Sequence, residues 1–298
     1  MRSLTYLLSG MEVSALVDPR GLVRAIERVL LSSSKPPARV AVEHLGSWLG
    51  VMPAAGEGYY AVKVVGVFPE APKVGLPLVR GTLFLIDPVR GDILLEADAA
   101  AATAWRTAAA TALALKTLGY RNGVLGIVGA GVQGEHHARV IGEVLGFTEL
   151  LVNSRDPSKA ESLARKLGGR TASIKEIHER ADAVVAATTS RQPVVMGEWL
   201  RPGTLVASVG APKPVRELDE AAVRRSRCLL VDTEEGVRGE SEEWRAASSL
   251  LELSRALKGE SCDWGDVKVY KSVGYALFDL AIALHLYERL KESQPLVM

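Results

Sequence analysis

The most specific spacing in this chain belongs to the glycines of a G-x-G-x-x-G turn, Gly129 to Gly134. A short apolar run, Gly123 to Val128, precedes the turn, and Glu135 to Leu145 follow it with helical spacing. In such a turn the glycines permit the sharp bend, the approach of a pyrophosphate and close helix packing, and the helix N-terminus favours negative charge. The pattern predicts a bound dinucleotide, although a glycine turn that serves helix packing alone has the same spacing. The predicted cofactor contacts in the turn are Gly129, Gly131, Val132, Gln133 and Gly134.

A second strand is predicted from Glu149 to Asn153, and the residues at its end bear on the choice of dinucleotide. An acidic residue at this position binds the adenosine ribose of NAD. Here Asn153, Ser154 and Arg155 replace it, so that a 2′-phosphate is not repelled and Arg155 can pair with it. This predicts NADP(H) as the preferred cofactor, with NAD(H) possible. Arg155 as a solvated loop residue, or Asp156 as an acidic reader one residue later, are the open alternatives.

Hydroxyl side chains at Thr188, Thr189 and Ser190 follow a later predicted strand. Ligands bind at the carboxyl edge of open α/β sheets, which makes these residues candidates for contact with the nicotinamide ribose. The same residue types are also ordinary in turns.

Three cations near the start of the chain have apolar neighbours in sequence. Arg39 follows two prolines, Lys63 lies within the run Tyr59 to Val67, and Arg106 lies in an alanine-rich segment. A charge in such surroundings is seldom buried without an anionic partner, and each residue alone is more commonly structural or exposed. Together they predict a pocket for the carboxylate of a small substrate. We expect desolvation and the two arginines to lower the pKa of Lys63, which would suit it to donate a proton.

The composition excludes other classes of protein. The net charge is +1 with both signs interspersed, which predicts no nucleic-acid partner and no membrane attachment. His136 and His137 are adjacent and would face apart on a helix, so no metal site is predicted. Cys228 and Cys262 do not make a disulfide framework in 298 residues, which favours a reducing, cytoplasmic location. The scarcity of Asn and Gln is compatible with a thermophilic source.

The elements that must position these residues fall into two groups. Short β-like runs occupy 39–97, and an alanine-rich helix follows from Asp98 to Leu118. Strands at 124–128, 149–153, 182–188, 203–209 and 227–232 alternate with helices, which predicts an α/β fold with a Rossmann-type, doubly wound parallel sheet.

A helix is expected from Glu240 to Leu257, a strand from Val267 to Lys271, and a final amphipathic helix from Val273 to Leu290. The last helix can cover the apolar face of the β-rich block. This makes the first domain, residues 1–120 and 267–298, a discontinuous α+β domain. The NAD(P)-binding domain is predicted at 121–266.

Over nearly its whole length the chain resembles the ornithine cyclodeaminase/mu-crystallin family. The order and spacing of the matching segments are more specific than any single motif. These segments are PPxR at 36–39, AVKVVGVFPE at 61–70, GLPLVRGTLFLIDPVRGDIL at 75–94, TAWRTAAATALA at 103–114, GIVGAGVQG at 126–134, SVGAPKPVRELD at 208–219 and VYKSVGYALFDLAIA at 269–283.

The resemblance implies a nucleotide-binding domain joined to a substrate-binding domain that dimerises, and therefore a homodimer. It also implies that Arg39, Lys63 and Arg106 contact the substrate carboxylate. Val209, Ser272 and Gly274 would lie near the nicotinamide, although Ser272 is also suited to cap a helix.

The family contains several chemistries, and one departure bears on the choice. Its cyclodeaminases carry an Asp shortly after the segment that matches Val209-Gly210, whereas this chain has Ala211-Pro212-Lys213-Pro214, which is similar to the ketimine reductase branch. Ring-closing deamination needs a base, while reduction of a cyclic imino acid needs a protonated C=N, a held carboxylate and a placed hydride. We therefore expect an NAD(P)H-dependent reductase of Δ1-pyrroline-2-carboxylate or Δ1-piperideine-2-carboxylate.

Three alternatives stay open: alanine dehydrogenase, ornithine cyclodeaminase and a non-catalytic, mu-crystallin-like NADPH-binding protein. A second departure is Arg80, where relatives commonly carry a smaller or uncharged residue. If Arg80 points into the pocket, it would recognise a second carboxylate on the substrate.

Overall fold

A computed structural model describes residues 5–211 and 213–293, so that Pro212 of the segment after Val209-Gly210 lies outside the described residues. The chain divides into two compact units, Met1–Arg106 with Tyr275–Met298, and Thr107–Gly274. In chain order the elements are β1 (Tyr6–Leu8), α1 (Gly10–Leu16), α2 (Pro19–Ser32), β2 (Val40–His44), β3 (Ser47–Gly56), β4 (Tyr59–Val67), β5 (Val79–Ile86), β6 (Ile93–Asp98), α3 (Ala99–Leu118), β7 (Val124–Val128), α4 (Val132–Val144), β8 (Glu149–Asn153), α5 (Pro157–Leu167), β9 (Arg170–Thr171), α6 (Ile174–Arg180), β10 (Ala183–Ala186), β11 (Leu205–Ser208), α7 (Glu220–Ser226), β12 (Cys228–Val231), α8 (Glu234–Glu240), β13 (Ser249–Glu252), α9 (Leu253–Leu257), β14 (Lys268–Lys271) and α10 (Ala276–Ser293), with 3₁₀ turns at Ala71–Val74, Gly197–Trp199 and Glu243–Ala246.

The first unit contains a six-stranded sheet in the order β1-β6-β5-β4-β3-β2. Strands β2 to β6 pair antiparallel with their neighbours, and β1 is parallel to β6. Helix α10 packs across β3, β4 and β5 and against α2. Its first eleven residues, 276–286, are all buried. The returning helix therefore supplies the apolar cover that the sheet needs.

Helix α2 begins where its residues predict. The Asp18 carboxylate accepts hydrogen bonds from the backbone N–H groups of Arg20 and Gly21, and Pro19 occupies the first turn. The apolar stripe of the helix is buried and packs on α10, which anchors the last helix to this unit.

The second unit contains an eight-stranded sheet in the order β13-β12-β14-β11-β10-β7-β8-β9, and every pairing is parallel. The chain starts at β7, builds outward through β8 and β9, and then returns to the other side of β7 with β10. This reversal makes a switch point between β7 and β10, where ligands bind outside the carboxyl ends of the strands. The predicted Rossmann-type sheet is confirmed.

One predicted helix differs from the structure. The helix expected from Glu240 to Leu257 is wrong, because α8 ends at Glu240 and the segment continues through a 3₁₀ turn into β13. The backbone N–H groups of Ser248 and Ser249 bind the carbonyl of Arg227, which aligns β13 beside β12.

The domain boundaries also differ from those expected. Strand β14 pairs with both β11 and β12, so residues 267–274 belong to the second sheet rather than to the first domain. The first boundary falls within α3, between Arg106 and Thr107, rather than after 120. Backbone hydrogen bonds on both sides of β14 hold the strand in the second sheet, although β14 lies close in sequence to α10 of the first unit.

The expectation for the cysteines is wrong. Cys228 in β12 and Cys262 form a disulfide across a sequence separation of 34 residues. The two cysteines therefore do not support the inference of a reducing location. In the described part of the chain, no helix combines the length and the apolar character required to cross a bilayer.

Candidate active site

Three charged side chains meet inside the first unit. Lys63 on β4 places its Nζ 2.8 Å from Oδ1 of Asp279 on α10, and Nε of Arg106 on α3 lies 3.0 Å from the same oxygen. Lys63 and Asp279 are each 1% exposed and Arg106 is 6% exposed. Alternation along β4 turns Lys63 to the sheet's buried face, together with Ala61 and Val65.

The surroundings of Lys63 change its acidity. Burial lowers its pKa to about 7, helped by the positive charges of Arg106 and Arg39 and opposed by Asp279. A lysine with this pKa is a proton donor and acceptor at neutral pH, which agrees with the direction expected from the sequence.

Asp279 was not among the residues predicted from the sequence. The signal was available, since a single carboxylate interrupts the apolar start of the last helix, as the three cations interrupt their own segments. Its second oxygen, Oδ2, is buried and has no hydrogen-bond partner among the described residues. Asp279 therefore has an oxygen, Oδ2, that can still accept a hydrogen bond, and this oxygen belongs to the carboxylate that pairs with Lys63.

Arg39 and Arg80 differ in their relation to this cluster. Arg39 stands just before β2, is partly exposed, and is close enough for its charge to lower the pKa of Lys63. Arg80 is exposed and lies opposite Gly66, whereas Lys63 lies opposite Leu83. Leu83 lies three positions after Arg80, an odd number, so strand alternation turns Arg80 to the sheet face away from Lys63. Arg80 is not in position to recognise a carboxylate beside Lys63.

The glycine turn of the second unit has the shape that a pyrophosphate requires. Gly129 has φ +109°, and a Cβ on Gly134 would overlap the carbonyl oxygen of Gly129. A Cβ on Gly131 would meet nothing within 4 Å, so the space in front of this residue is open. Among the described residues, no side chain caps α4 at its N-terminus. These residues fit a dinucleotide, because an open approach leads to uncapped N–H groups at a helix N-terminus.

The residues after β8 have distinct roles. Strand β8 ends at Asn153, whose side-chain amide donates to the carbonyl of Ala172. The Asp156 carboxylate caps α5 by accepting hydrogen bonds from the backbone N–H and the hydroxyl of Ser158. Arg155 is exposed, and the backbone N–H of Asp156 contacts the Ser154 hydroxyl. Asp156 therefore already has a structural role, which leaves Arg155 as the charged residue available at this strand end.

Several of the other predicted cofactor contacts are hydrogen-bonded within the protein. The hydroxyl of Thr188 donates to Glu217, and the hydroxyl of Ser190 donates to the carbonyl of Gln192. Thr189 is exposed, and the N–H of Val209 donates to the carbonyl of Ala186. The Ser272 hydroxyl and the Gly274 N–H both donate to Asp232. Glu217 and Asp232, which hold these segments, were not predicted from the sequence.

Comparison with known proteins gives relatives along the whole chain. The ketimine reductase mu-crystallin of Mus musculus is 32% identical over 289 residues, which cover 90% of this chain and 91% of that protein. The structure of Thermococcus litoralis Δ(1)-pyrroline-2-carboxylate reductase in complex with NADH and L-proline has a TM-score of 0.87 and 33% identity, and covers 97% of this chain and 98% of that chain. An archaeal alanine dehydrogenase dimer with bound NAD has a TM-score of 0.87 and 25% identity, with 97% of each chain covered.

The fold, the glycine turn and these relatives define the chain as an NAD(P)-dependent oxidoreductase. The model of the ornithine cyclodeaminase/mu-crystallin family matches residues 7–294, and the chain belongs to that family. The resemblance drawn from its motifs is confirmed.

Proposed function

We propose that the protein is an NAD(P)H-dependent reductase of cyclic imino acids, with Δ1-pyrroline-2-carboxylate or Δ1-piperideine-2-carboxylate as substrate. The observation that carries the proposal is the buried cluster of Lys63, Arg106 and Asp279, because it joins an acid of near-neutral pKa to cations that attract a carboxylate. The mouse relative is a ketimine reductase and the Thermococcus relative is a Δ(1)-pyrroline-2-carboxylate reductase, which supports this substrate class. The presence of Ala211 where the family's cyclodeaminases carry an Asp supports reduction over deamination.

The charged residues of the first unit have different roles in imine reduction. Arg39 and Arg106 hold the substrate carboxylate, which fixes the position of the C=N bond. Lys63 gives its proton to the imine nitrogen, and the negative charge of Asp279 stabilises the lysine in its charged form before the transfer. When bound, the nicotinamide cofactor would supply the hydride that reduces the C=N bond, and the product would be a secondary amine.

The cofactor site follows from the second unit. The N–H groups at the start of α4, in the turn Gly129–Gly134, hold the pyrophosphate. Arg155 pairs with the 2′-phosphate of NADP(H), which makes NADP(H) the preferred cofactor, while NAD(H) stays possible because two relatives bind it in their structures.

We also propose a homodimer with a cytoplasmic location. The archaeal alanine dehydrogenase is a dimer, and the edge strand β2 exposes Val40 and Val42, which are 66% and 58% exposed. A disulfide is compatible with the cytoplasm of a hyperthermophile, whose intracellular proteins are rich in disulfides.

The first test measures the oxidation of NADPH and of NADH with each cyclic imine and with pyruvate plus ammonia. The second test measures the conversion of ornithine in the presence of NAD. We expect turnover of a cyclic imine. Lys63→Ala should lower kcat and raise KM, whereas Arg39→Ala should act mainly on KM. Turnover of pyruvate or ornithine but of neither imine would replace the proposal with one of the two family alternatives. Tight nucleotide binding without any turnover would indicate the non-catalytic binding protein.

A further inference from the structure

A second buried cluster lies in the second unit and is centred on Glu217, which is 0% exposed. Its Oε1 accepts hydrogen bonds from the backbone N–H and the hydroxyl of Thr188, at 2.6 and 2.8 Å. Its Oε2 accepts from the hydroxyl of Ser208 and the N–H of Gly210, both at 2.8 Å. Four donors occupy both oxygens, which is the full capacity that an ionised carboxylate offers in such a site.

Lys271 and Glu243 extend this cluster. The Lys271 ammonium donates to the Ser208 hydroxyl and to the Gly210 carbonyl, both at 2.9 Å, and pairs with Glu243 at 2.7 Å. Glu243 in turn accepts from the backbone N–H groups of Glu217 and Leu218, each at 2.8 Å. Burial raises the pKa of Glu217, and the charge of Lys271 opposes that rise. The segment from Ser208 to Leu218 is thus held at both ends by a satisfied network.

The cluster sits at the carboxyl ends of three neighbouring strands. Ser208 ends β11, Lys271 ends β14, and Thr188 follows β10 by two residues. The next strand is β7, which leads into the glycine turn. A Cβ on Gly129 would overlap the carbonyl oxygen of Ala187 and lie 3.1 Å from Cγ2 of Thr188, so the turn packs directly on the segment that Glu217 holds.

This placement separates the two halves of a dinucleotide. A pyrophosphate at the start of α4 leaves the adenosine on the β8 side, where Arg155 stands, and the nicotinamide on the side of β10 and β11. We propose that Glu217 is a positioning residue for the nicotinamide half, because it fixes the backbone of Thr188 and Gly210 where that half binds. The inference rests on the proposed nucleotide-dependent function.

The test uses Glu217→Gln, which keeps the size of the side chain. The amide NH₂ group of the variant would replace one carboxylate oxygen and would therefore face hydrogen-bond donors. The backbone N–H of Thr188 or Gly210 cannot rotate away from this NH₂ group. We expect the Kd of NADPH, measured by direct titration, to rise about tenfold, because hydrogen bonds to a charged group are lost. The Kd of 2′,5′-ADP, which carries only the adenosine half, should stay within about twofold of wild type, since the β8 side is unchanged. NADH and ADP form the equivalent pair if NADH is the preferred cofactor.

Glu149→Gln is the matched control. Glu149 begins β8 at the amino edge of the same sheet and forms exposed pairs with Arg170 and Arg180, so neither Kd should change. Equal weakening of both ligands by Glu217→Gln, or unchanged NADPH binding, would overturn the inference. If Glu217→Gln does not fold, Ser208→Ala removes one donor from the same carboxylate, and the same split between NADPH and 2′,5′-ADP is expected. A wild-type protein that binds no dinucleotide would overturn the inference and the proposed function together, whereas binding without imine turnover would overturn the function alone.

Discussion

At the residue scale, the chemistry of the first unit depends on an imbalance of charge. Two cations, Lys63 and Arg106, share the single carboxylate of Asp279 in a site that excludes water. One positive charge is left without a buried counter-ion in this trio, which favours the arrival of an anion. Burial lowers the pKa of Lys63 to about 7, and repulsion by the positive charge of Arg106 adds to this effect.

The pH dependence of kcat should reveal this lysine. At pH values below its pKa of about 7, Lys63 is protonated and can donate a proton, so kcat for imine reduction should not change with pH in this range. Above it, the donor form is lost and kcat should fall about tenfold for each pH unit. Stopped-assay rates at saturating substrate across neutral pH measure this limb. The limb should be absent in Lys63→Met, and a wild-type profile that stays flat well above neutral pH would contradict the assignment.

Asp279→Asn should move that limb to lower pH. The carboxylate raises the pKa of Lys63, so its loss should lower that pKa by about 1 unit or more. The variant should also lose about 3–5 kcal/mol of stability, because two buried cations are left without their partner. Denaturant unfolding checks the second effect, and Lys63→Met in the same variant should restore part of the loss. A limb that stays in place would show that Asp279 is not coupled to Lys63.

At the scale of elements, some strands can be predicted from their own residues and others cannot. Strands β4, β7 and β8 have the bounds expected from their apolar runs, since glycine, proline or polar residues stand close to both ends. Strand β13 was not predicted, because its position depends on backbone bonds to Arg227 that leave no pattern in its own residues. Asp279 was not predicted for a related reason, because its partner Lys63 lies 216 residues earlier in the chain.

The glycines of the turn before α4 should have separable effects. Gly131→Ala should fold normally, because its φ of −90° suits alanine and its Cβ would meet no protein atom, but its methyl group would obstruct the pyrophosphate. Gly134→Ala should lose both stability and nucleotide binding, because its Cβ would overlap Gly129. Thermal melting and dinucleotide titration distinguish the two variants. Equal melting temperatures for both would contradict the predicted packing.

Arg155→Ala tests how the end of β8 selects the cofactor. One charge-assisted hydrogen bond to a phosphate contributes about 1.5–3 kcal/mol, so NADPH binding should weaken by roughly tenfold or more while NADH binding stays unchanged. Titration of both nucleotides measures the ratio, and Asp156→Asn serves as a neighbouring control that alters only the cap of α5. The same loss for both nucleotides would show that Arg155 does not read the 2′-phosphate.

At the scale of the whole molecule, the chain crosses twice between its two units. It leaves the first unit within α3 after Arg106 and returns at Tyr275. The second unit is therefore an insertion in the first, and within it a disulfide joins Cys228 of β12 to Cys262.

Reduction of the disulfide should lower stability without abolishing nucleotide binding. Closing a segment of this length contributes about 2–4 kcal/mol to the free energy of unfolding. Denaturant curves with and without reductant measure the difference. Cys262→Ala, which leaves Cys228 in place, should unfold like the reduced protein and should not respond to reductant. Identical curves for the oxidised and reduced wild type would contradict the expected contribution.

The late return of α10 sets an order for synthesis on the ribosome. Lys63 emerges 216 residues before its partner Asp279, a delay of about 10–40 seconds at the usual rate of translation. During that interval the nascent six-stranded sheet lacks the helix that covers it, and the inserted unit receives its last strand, β14, only shortly before Asp279. A polypeptide that ends after β14 and before α10 would have every strand of the inserted unit but would lack Asp279, so the pair of Lys63 and Asp279 forms only with the last helix.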